Sequence, residues 1–221
     1  MILQYLFIFA IFSVVGWILE VTYRSITNKK FINPGFLSGC AIPLYGFGVV
    51  ILNIICNIFI NINTNHKLIV IFFISTLLLT LLEFFTGRIM LDLFHVKLWD
   101  YSNVRFNYKG IICPQFSVIW GALALLFYLL VFPGLNTFIL NLVSNTLCIF
   151  ILGIFYGIFI IDLCMSINLL SKLTKYSKKA KKIINFEKLK IESIKKTGKK
   201  FWNVIYPYTH INKFLKDKIR K

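Results

Sequence analysis

Five long apolar stretches occupy most of this chain, and they leave room for little except a bundle of membrane-crossing helices. A helix needs about 20 mainly apolar residues to cross the hydrocarbon core of a bilayer. The stretches cover residues 2–23, 41–62, 68–85, 111–132 and 138–170. The fourth is expected to close at Pro133-Gly134. The fifth is longer than one span requires, so its polar first turn (Asn141, Ser144, Asn145) is expected in the outer interface. Pro43, Gly46 and Gly48 stand at the start of the second, which predicts a broken or re-entrant opening packed against protein. Met1 begins an apolar run with no basic lead-in and no small-x-small cleavage site, so the first stretch reads as a retained helix.

Only 15% of the residues are charged, against about 25% in soluble domains, and they are unevenly spread. Residues 1–170 carry eight Lys/Arg and five Asp/Glu, whereas residues 171–221 carry seventeen and three. The chain therefore divides into a transmembrane domain, 1–170, and a basic tail, 171–221. With five spans, alternate connections share a side. One side receives 24 of the 25 basic residues and the other receives Lys67 alone. Lys and Arg accumulate on the cytoplasmic side. The predicted fold is thus an all-α membrane protein of five transmembrane helices, N-terminus outside and C-terminus cytoplasmic. In the tail, Leu173, Tyr176, Ala180, Ile183 and Ile184 recur at helical spacing among lysines, and Phe201, Trp202, Tyr206 and Tyr208 follow. That pattern predicts a basic amphipathic helix lying on anionic lipid headgroups. It carries no nucleic-acid-reading motif. The abundance of Lys, Ile, Asn and Phe points to an AT-rich bacterial genome, and so to the bacterial cytoplasmic membrane.

Charges inside a span are the main functional signal in such sequences, because each costs about 2.5–3.5 kcal/mol at a helix centre. Glu20, Glu83 and Asp162 qualify, all near the expected cytoplasmic ends of their helices. Glu20 shares a helical face with Arg24, and Arg88 follows Glu83 five residues on. One reading makes the three acids interfacial ion pairs. The other makes them the lining of a polar cavity open to the cytoplasm. Asn53, Asn57 and Asn61 form an i, i+4 stripe suited to interhelical hydrogen bonds. Gly153 and Gly157 permit close helix packing. Cys40, Cys56, Cys113, Cys148 and Cys164 include no C-x-x-C and read as buried thiols. The three His are isolated, so no metal and no cofactor is expected. No nucleotide-binding loop or recognisable catalytic motif occurs.

The connections expected in the cytoplasm are rich in specific residues. The first holds Asn33, Gly35, Gly39, Pro43, Tyr45 and Gly46, and the second holds Trp99, Asp100, Tyr101, Ser102, Asn107 and Gly110. Gly and Pro impose turns and allow close backbone approach. An aromatic belt accounts for the Trp and Tyr, but less well for their combination with Asp100, Ser102 and Asn107.

The order of these pieces resembles the bacterial ABC-transporter permease family, type IV, CmpB-like. They are Gly16-Trp17-Ile18-Leu19-Glu20, Asn33-x-Gly35-Phe36-Leu37-x-Gly39, Pro43-Leu44-Tyr45-Gly46 and Leu82-Glu83-Phe84. Phe94-His95, Trp99-Asp100-Tyr101-Ser102, Phe106-Asn107-x-x-Gly110-x-Ile112-Cys113 and Trp120-Gly121 continue the series. The resemblance covers residues 1–125 well, the fifth helix loosely and the tail not at all. It departs at Pro34 (usually Arg), Cys40 (usually Pro), Arg88 (usually Trp) and Leu91 (usually Glu). It implies a permease-like subunit working with a separate ATPase and, since five helices are few for a permease, a homo-oligomer. Two other readings stay open. A membrane-embedded enzyme acting on a lipid headgroup would use Glu20, Glu83, Asp100 and His95 as acid–base groups. A non-catalytic scaffold would recruit partners through the tail.

Overall fold

The computed structural model describes residues 1–29, 31–62, 66–180 and 184–185. They form an all-α membrane protein. Helix α1 spans Ile2–Asn28, α2 Pro43–Phe59 and α3 Lys67–Phe94. Helix α4, Pro114–Leu126, passes through a π-helical turn at Phe127–Val131 directly into α5, Phe132–Ser144, and α6 spans Thr146–Ala180. Four spans are long and apolar enough to cross a bilayer: α1, α3, the continuous Pro114–Ser144 helix, and α6. Helix α2 is the shorter fifth. Its 17 residues cover about 25 Å at 1.5 Å per residue. It starts as a regular helix with Pro43 in its first turn, where the missing N–H costs nothing. The irregular backbone lies before it, not within it.

Several expected boundaries move. The fourth span does not close at Pro133-Gly134 but runs on to Ser144. Proline lacks an N–H, and its ring crowds the carbonyl four residues back. The π turn absorbs both problems: the N–H of Phe132 bonds the carbonyl of Phe127, five residues back, just before Pro133. Asn141 and Ser144 therefore end a helix, and Asn145, in extended conformation, makes the turn into α6. Its side chain accepts from the N–H of Leu147. Helix α6 runs through residue 171 to Ala180 without a break, and Leu173 is fully buried. Tyr176 and Ala180 lie on this helix, whereas Ile183 and the aromatic anchors at 201–208 lie outside the described residues.

The chain forms two compact units. The first comprises Met1–Ser13, Pro43–Thr86 and Tyr101–Tyr156. Its core gathers Phe7, Ile8, Leu52, Ile55, Leu79, Phe127, Ile139 and Leu152. Lipid is as apolar as these side chains, so packing and interhelical hydrogen bonds hold the helices together. Glycine makes the closest approach possible. A Cβ on Gly46 would run into Ser13 Oγ and would lie 2.7 Å from the backbone oxygen of Phe9. Asn53, 2% exposed, donates to Asn136 Oδ1 at 3.4 Å, Asn136 donates to Asn57 Oδ1 at 3.2 Å, and Asn57 donates to Asn53 Oδ1 at 3.0 Å. The expected amide stripe thus closes into a ring through Asn136, while Asn61 lies exposed.

The second unit comprises Val14–Ile42, Gly87–Asp100 and Gly157–Lys221. Met90, Val96, Leu169, Leu170 and Leu173 form its core, with Phe36, Phe94 and Leu98 packed on it. Strand β1, Val96–Lys97, pairs in parallel with β2, Ile184–Asn185. Thr174 Oγ1 donates to the carbonyl of Phe94 at 2.9 Å, which ties α6 to the end of α3. The thiols also depart from expectation. Cys56 and Cys113 are buried, but Cys40 and Cys164 are exposed, and all five are free.

Gly46→Ala is expected to lower the stability of the detergent-solubilised protein by about 1–3 kcal/mol, because the backbone oxygen of Phe9 cannot yield. Gly134 has nothing within 4 Å of a built Cβ, so Gly134→Ala is expected to hold or raise stability by up to about 1 kcal/mol. Thermal unfolding of the two variants side by side checks this; equal midpoints would contradict the close α1–α2 approach.

Candidate functional site

The three acids sit deeper in their helices than expected, because α1, α3 and α6 outrun the apolar stretches that reveal them. Each carboxylate also has its own partners. Glu20 pairs with Arg24 at 2.5 Å along α1, as the i, i+4 spacing predicts. Arg88 turns to Asp92 at 2.6 Å and not to Glu83; four residues bring two side chains onto one helical face better than five do.

Asp162 organises the first connection within the second unit. Its Oδ1 accepts the backbone N–H of Ser38 at 3.0 Å, and its Oδ2 accepts that of Gly39 at 2.7 Å. A Cβ on Gly39 would lie 3.0 Å from Oδ2, so only glycine gives the carboxylate full access. Asn33, buried, completes the loop. Its Oδ1 accepts from Trp17 Nε1 and its Nδ2 donates to the carbonyl of Ser38, both at 2.7 Å. Gly35 turns the chain at φ +73°, a conformation open to glycine. Ile32 and Leu37 plug the loop inward, and Pro34 is buried with them. The residues singled out as Asn33, Gly35 and Gly39 therefore build a staple between the first connection and α6. Hydrogen bonds to a charged group contribute about 1.5–3 kcal/mol each. Cys40 follows the staple; loss of solvation, and secondarily the charge of Asp162, pushes its thiol up from its ordinary value.

Glu83 organises the second connection within the first unit. It is 3% exposed. Its Oε1 accepts the Tyr101 hydroxyl at 2.8 Å and its Oε2 accepts Trp120 Nε1 at 3.3 Å. Tyr45 meets Trp120 edge to face at 5.9 Å, and Phe116 stacks on Tyr101 at 4.6 Å. No salt bridge among the described residues includes Glu83. Beyond Tyr101 the chain makes a tight loop. Asn107 Nδ2 donates to the carbonyls of Ser102 and Val104, its Oδ1 accepts the N–H of Gly110, and Tyr101 N–H bonds the carbonyl of Gly110. Asn107 and Gly110 are thus architectural, and Ser102 lends the loop its carbonyl. Asp100 belongs to the second unit and pairs with Lys97 at 3.1 Å, beside a half-buried Trp99. Pro43 and Gly46 serve α2, as described above. Ser38 and Asn136 take part in these networks but carried no pattern in the sequence, and Trp17 stood out only within the family resemblance; their roles depend on neighbours far along the chain.

Two loop-capped carboxylates set in long apolar helices define a multi-pass membrane protein with polar sites inside its helical body. The family described as Putative ABC-transporter type IV matches residues 7–167, most of the chain, and the protein belongs to that family. The match runs from α1 into α6 and leaves the tail outside. No solved structure matches the chain.

Asp162→Asn is expected to weaken the staple and remove a negative charge beside Cys40. In a variant whose only cysteine is Cys40, alkylation should speed up at fixed pH, and the rate–pH curve should move to lower pH, because a raised thiol pKa holds back the thiolate and the mutation relieves part of the rise. An unchanged curve would contradict the contact. Asn107→Ala removes three hydrogen bonds of about 1 kcal/mol each and should open the loop to trypsin at Arg105 and Lys109. Cleavage no faster than in the wild type would show that Asn107 does not hold it.

Proposed function

We propose that this protein is a permease-like membrane subunit that works with a separate ATPase. Membership of an ABC-transporter-type family supports the class of function. The chain has no phosphate-binding glycine loop ending in Lys-Ser/Thr, so the nucleotide site belongs to the partner. In this reading Glu83 is the polar position of the first unit, Glu20 and Asp162 are those of the second, and a homo-oligomer supplies the helices that five spans lack. The charge distribution supports an N-terminus outside, a basic tail in the cytoplasm on anionic headgroups, and residence in the bacterial cytoplasmic membrane.

The observation that carries the reading is Glu83. A buried carboxylate in a spanning helix, held by two neutral donors and by no salt bridge among the described residues, is costly to keep and marks a functional position. Tyr101 ties it directly to a connection, a route by which docking at the membrane surface reaches the helix.

The test is purification of the tagged full-length protein in mild detergent, with mass spectrometry and an ATPase assay. A stoichiometric ATP-binding subunit is expected. Glu83→Gln should leave the complex assembled and lower ATP hydrolysis about tenfold, the kinetic equivalent of roughly 1.4 kcal/mol. A homo-oligomer with no ATP-binding subunit would overturn the proposal.

A further inference from the structure

Phe106 stands at the tip of the loop that Asn107 closes, and it is 88% exposed. Its φ is +58°, and that of Lys109 is +53°, conformations that bulky residues rarely adopt. The hydrogen bonds of Tyr101, Asn107 and Gly110 hold the loop in this shape, so the phenyl ring is presented outward by a rigid frame. Arg105, Tyr108 and Lys109 are exposed around it, and the Lys109 amine lies 5.6 Å from the centre of the Tyr108 ring.

The depth of this loop follows from α3. Lys67 marks one end of the helix; its amine donates to the carbonyl of Ile60 at 3.2 Å and lies over Tyr128. About 20 residues of helix cover the hydrocarbon thickness, which brings the opposite boundary near Gly87. The loop touches α3 just short of that point. Tyr101 bonds Glu83, and the rings of Tyr108 and Phe84 lie 6.0 Å apart. The loop therefore folds back along the helix to the level where acyl chains give way to headgroups, with an apolar ring and two cations on its outer surface.

We propose that the Tyr101–Cys113 loop is a membrane-interface anchor, in which Phe106 enters the acyl boundary while Arg105 and Lys109 engage anionic phospholipid headgroups. Depth and composition favour lipid over a soluble protein as the occupant: a ring beside long cationic side chains suits the interface, where the stems stay in the apolar zone and the charges reach the phosphates. The anchor is independent of the basic tail and of the ATPase reading above.

The test places benzoylphenylalanine at position 106 of the full-length protein, reconstituted in vesicles of equimolar phosphatidylcholine and phosphatidylglycerol. After illumination, mass spectrometry of the peptide spanning 106 should show lipid adducts that favour phosphatidylglycerol about fivefold, the preference one basic residue gives near such a surface. Arg105→Glu with Lys109→Glu should erase the preference while adducts persist. Absence of lipid adducts, adducts to a protein instead, or equal labelling of the two lipids in the unreversed protein would overturn the proposal. The charge-reversed and unreversed proteins carry the same tail, so the difference between them reads Arg105 and Lys109 alone.

Discussion

Hydrocarbon offers no hydrogen bonds, and a helix has already spent its backbone amides on itself. A carboxylate on a spanning helix must therefore find donors that are not helical backbone. Glu20 meets the demand with an arginine on its own helix. Asp162 and Glu83 cannot, and each draws in a connection instead. The Asn33–Gly39 segment brings two free backbone N–H groups to Asp162, and the second connection brings the Tyr101 hydroxyl to Glu83, where Trp120 on α4 joins it. Several threonine hydroxyls inside the helices are satisfied differently. Thr22, Thr76 and Thr86 each donate to the carbonyl four residues back and ask nothing of the rest of the fold. The two folded-back connections are thus consequences of two carboxylates on spanning helices, Glu83 buried and Asp162 half-buried.

This view explains which parts of the chain were legible in its sequence. Apolar length alone gives the number of spans, because the bilayer sets a minimum that chance rarely meets. It gives the ends poorly. Helix α3 continues from Phe85 to Phe94 through Thr86, Arg88 and Asp92, which pair within the helix once it leaves the hydrocarbon and so remain helical without being apolar. Pro133 misleads for the opposite reason. A π turn accommodates it locally, and nothing in Phe127–Val131 announces that turn. Among site residues, Glu83 and Asp162 are visible as charges in the wrong place, and Asn33, Gly39, Asn107 and Gly110 as turn formers in excess of what a connection needs. The pairings are invisible, even where a donor such as Tyr101 or Gly39 stood out by itself. Trp120 lies 37 residues from Glu83, and Ser38 lies 124 from Asp162. No local pattern encodes such pairs.

The glycines divide along the same line. Gly39 lets a carboxylate reach a backbone amide, and Gly46 lets α2 approach α1. Gly121 does the same for α4 against α3, where a Cβ would lie 2.6 Å from Phe72 Cε2. Gly153 and Gly157, conspicuous as a small-x-x-x-small pair, have nothing within 4 Å of a built Cβ. The spacing that reads most readily as a packing motif is unfilled among the described residues, whereas the glycines that matter for packing stand singly.

The two carboxylates also differ in what their donors permit. Backbone N–H groups cannot turn away or change role, so the two donors that Ser38 and Gly39 bring to Asp162 are fixed by the loop that carries them. The phenol of Tyr101 is both donor and acceptor. If Glu83 takes a proton on Oε1, the same contact survives with its direction reversed, and the indole N–H of Trp120 still meets Oε2. Glu83 is therefore the carboxylate whose contacts fit either direction of hydrogen bonding, and Asp162 is the one held by donors of a single kind. That asymmetry assigns the staple to Asp162 and leaves Glu83 in the more adaptable surroundings.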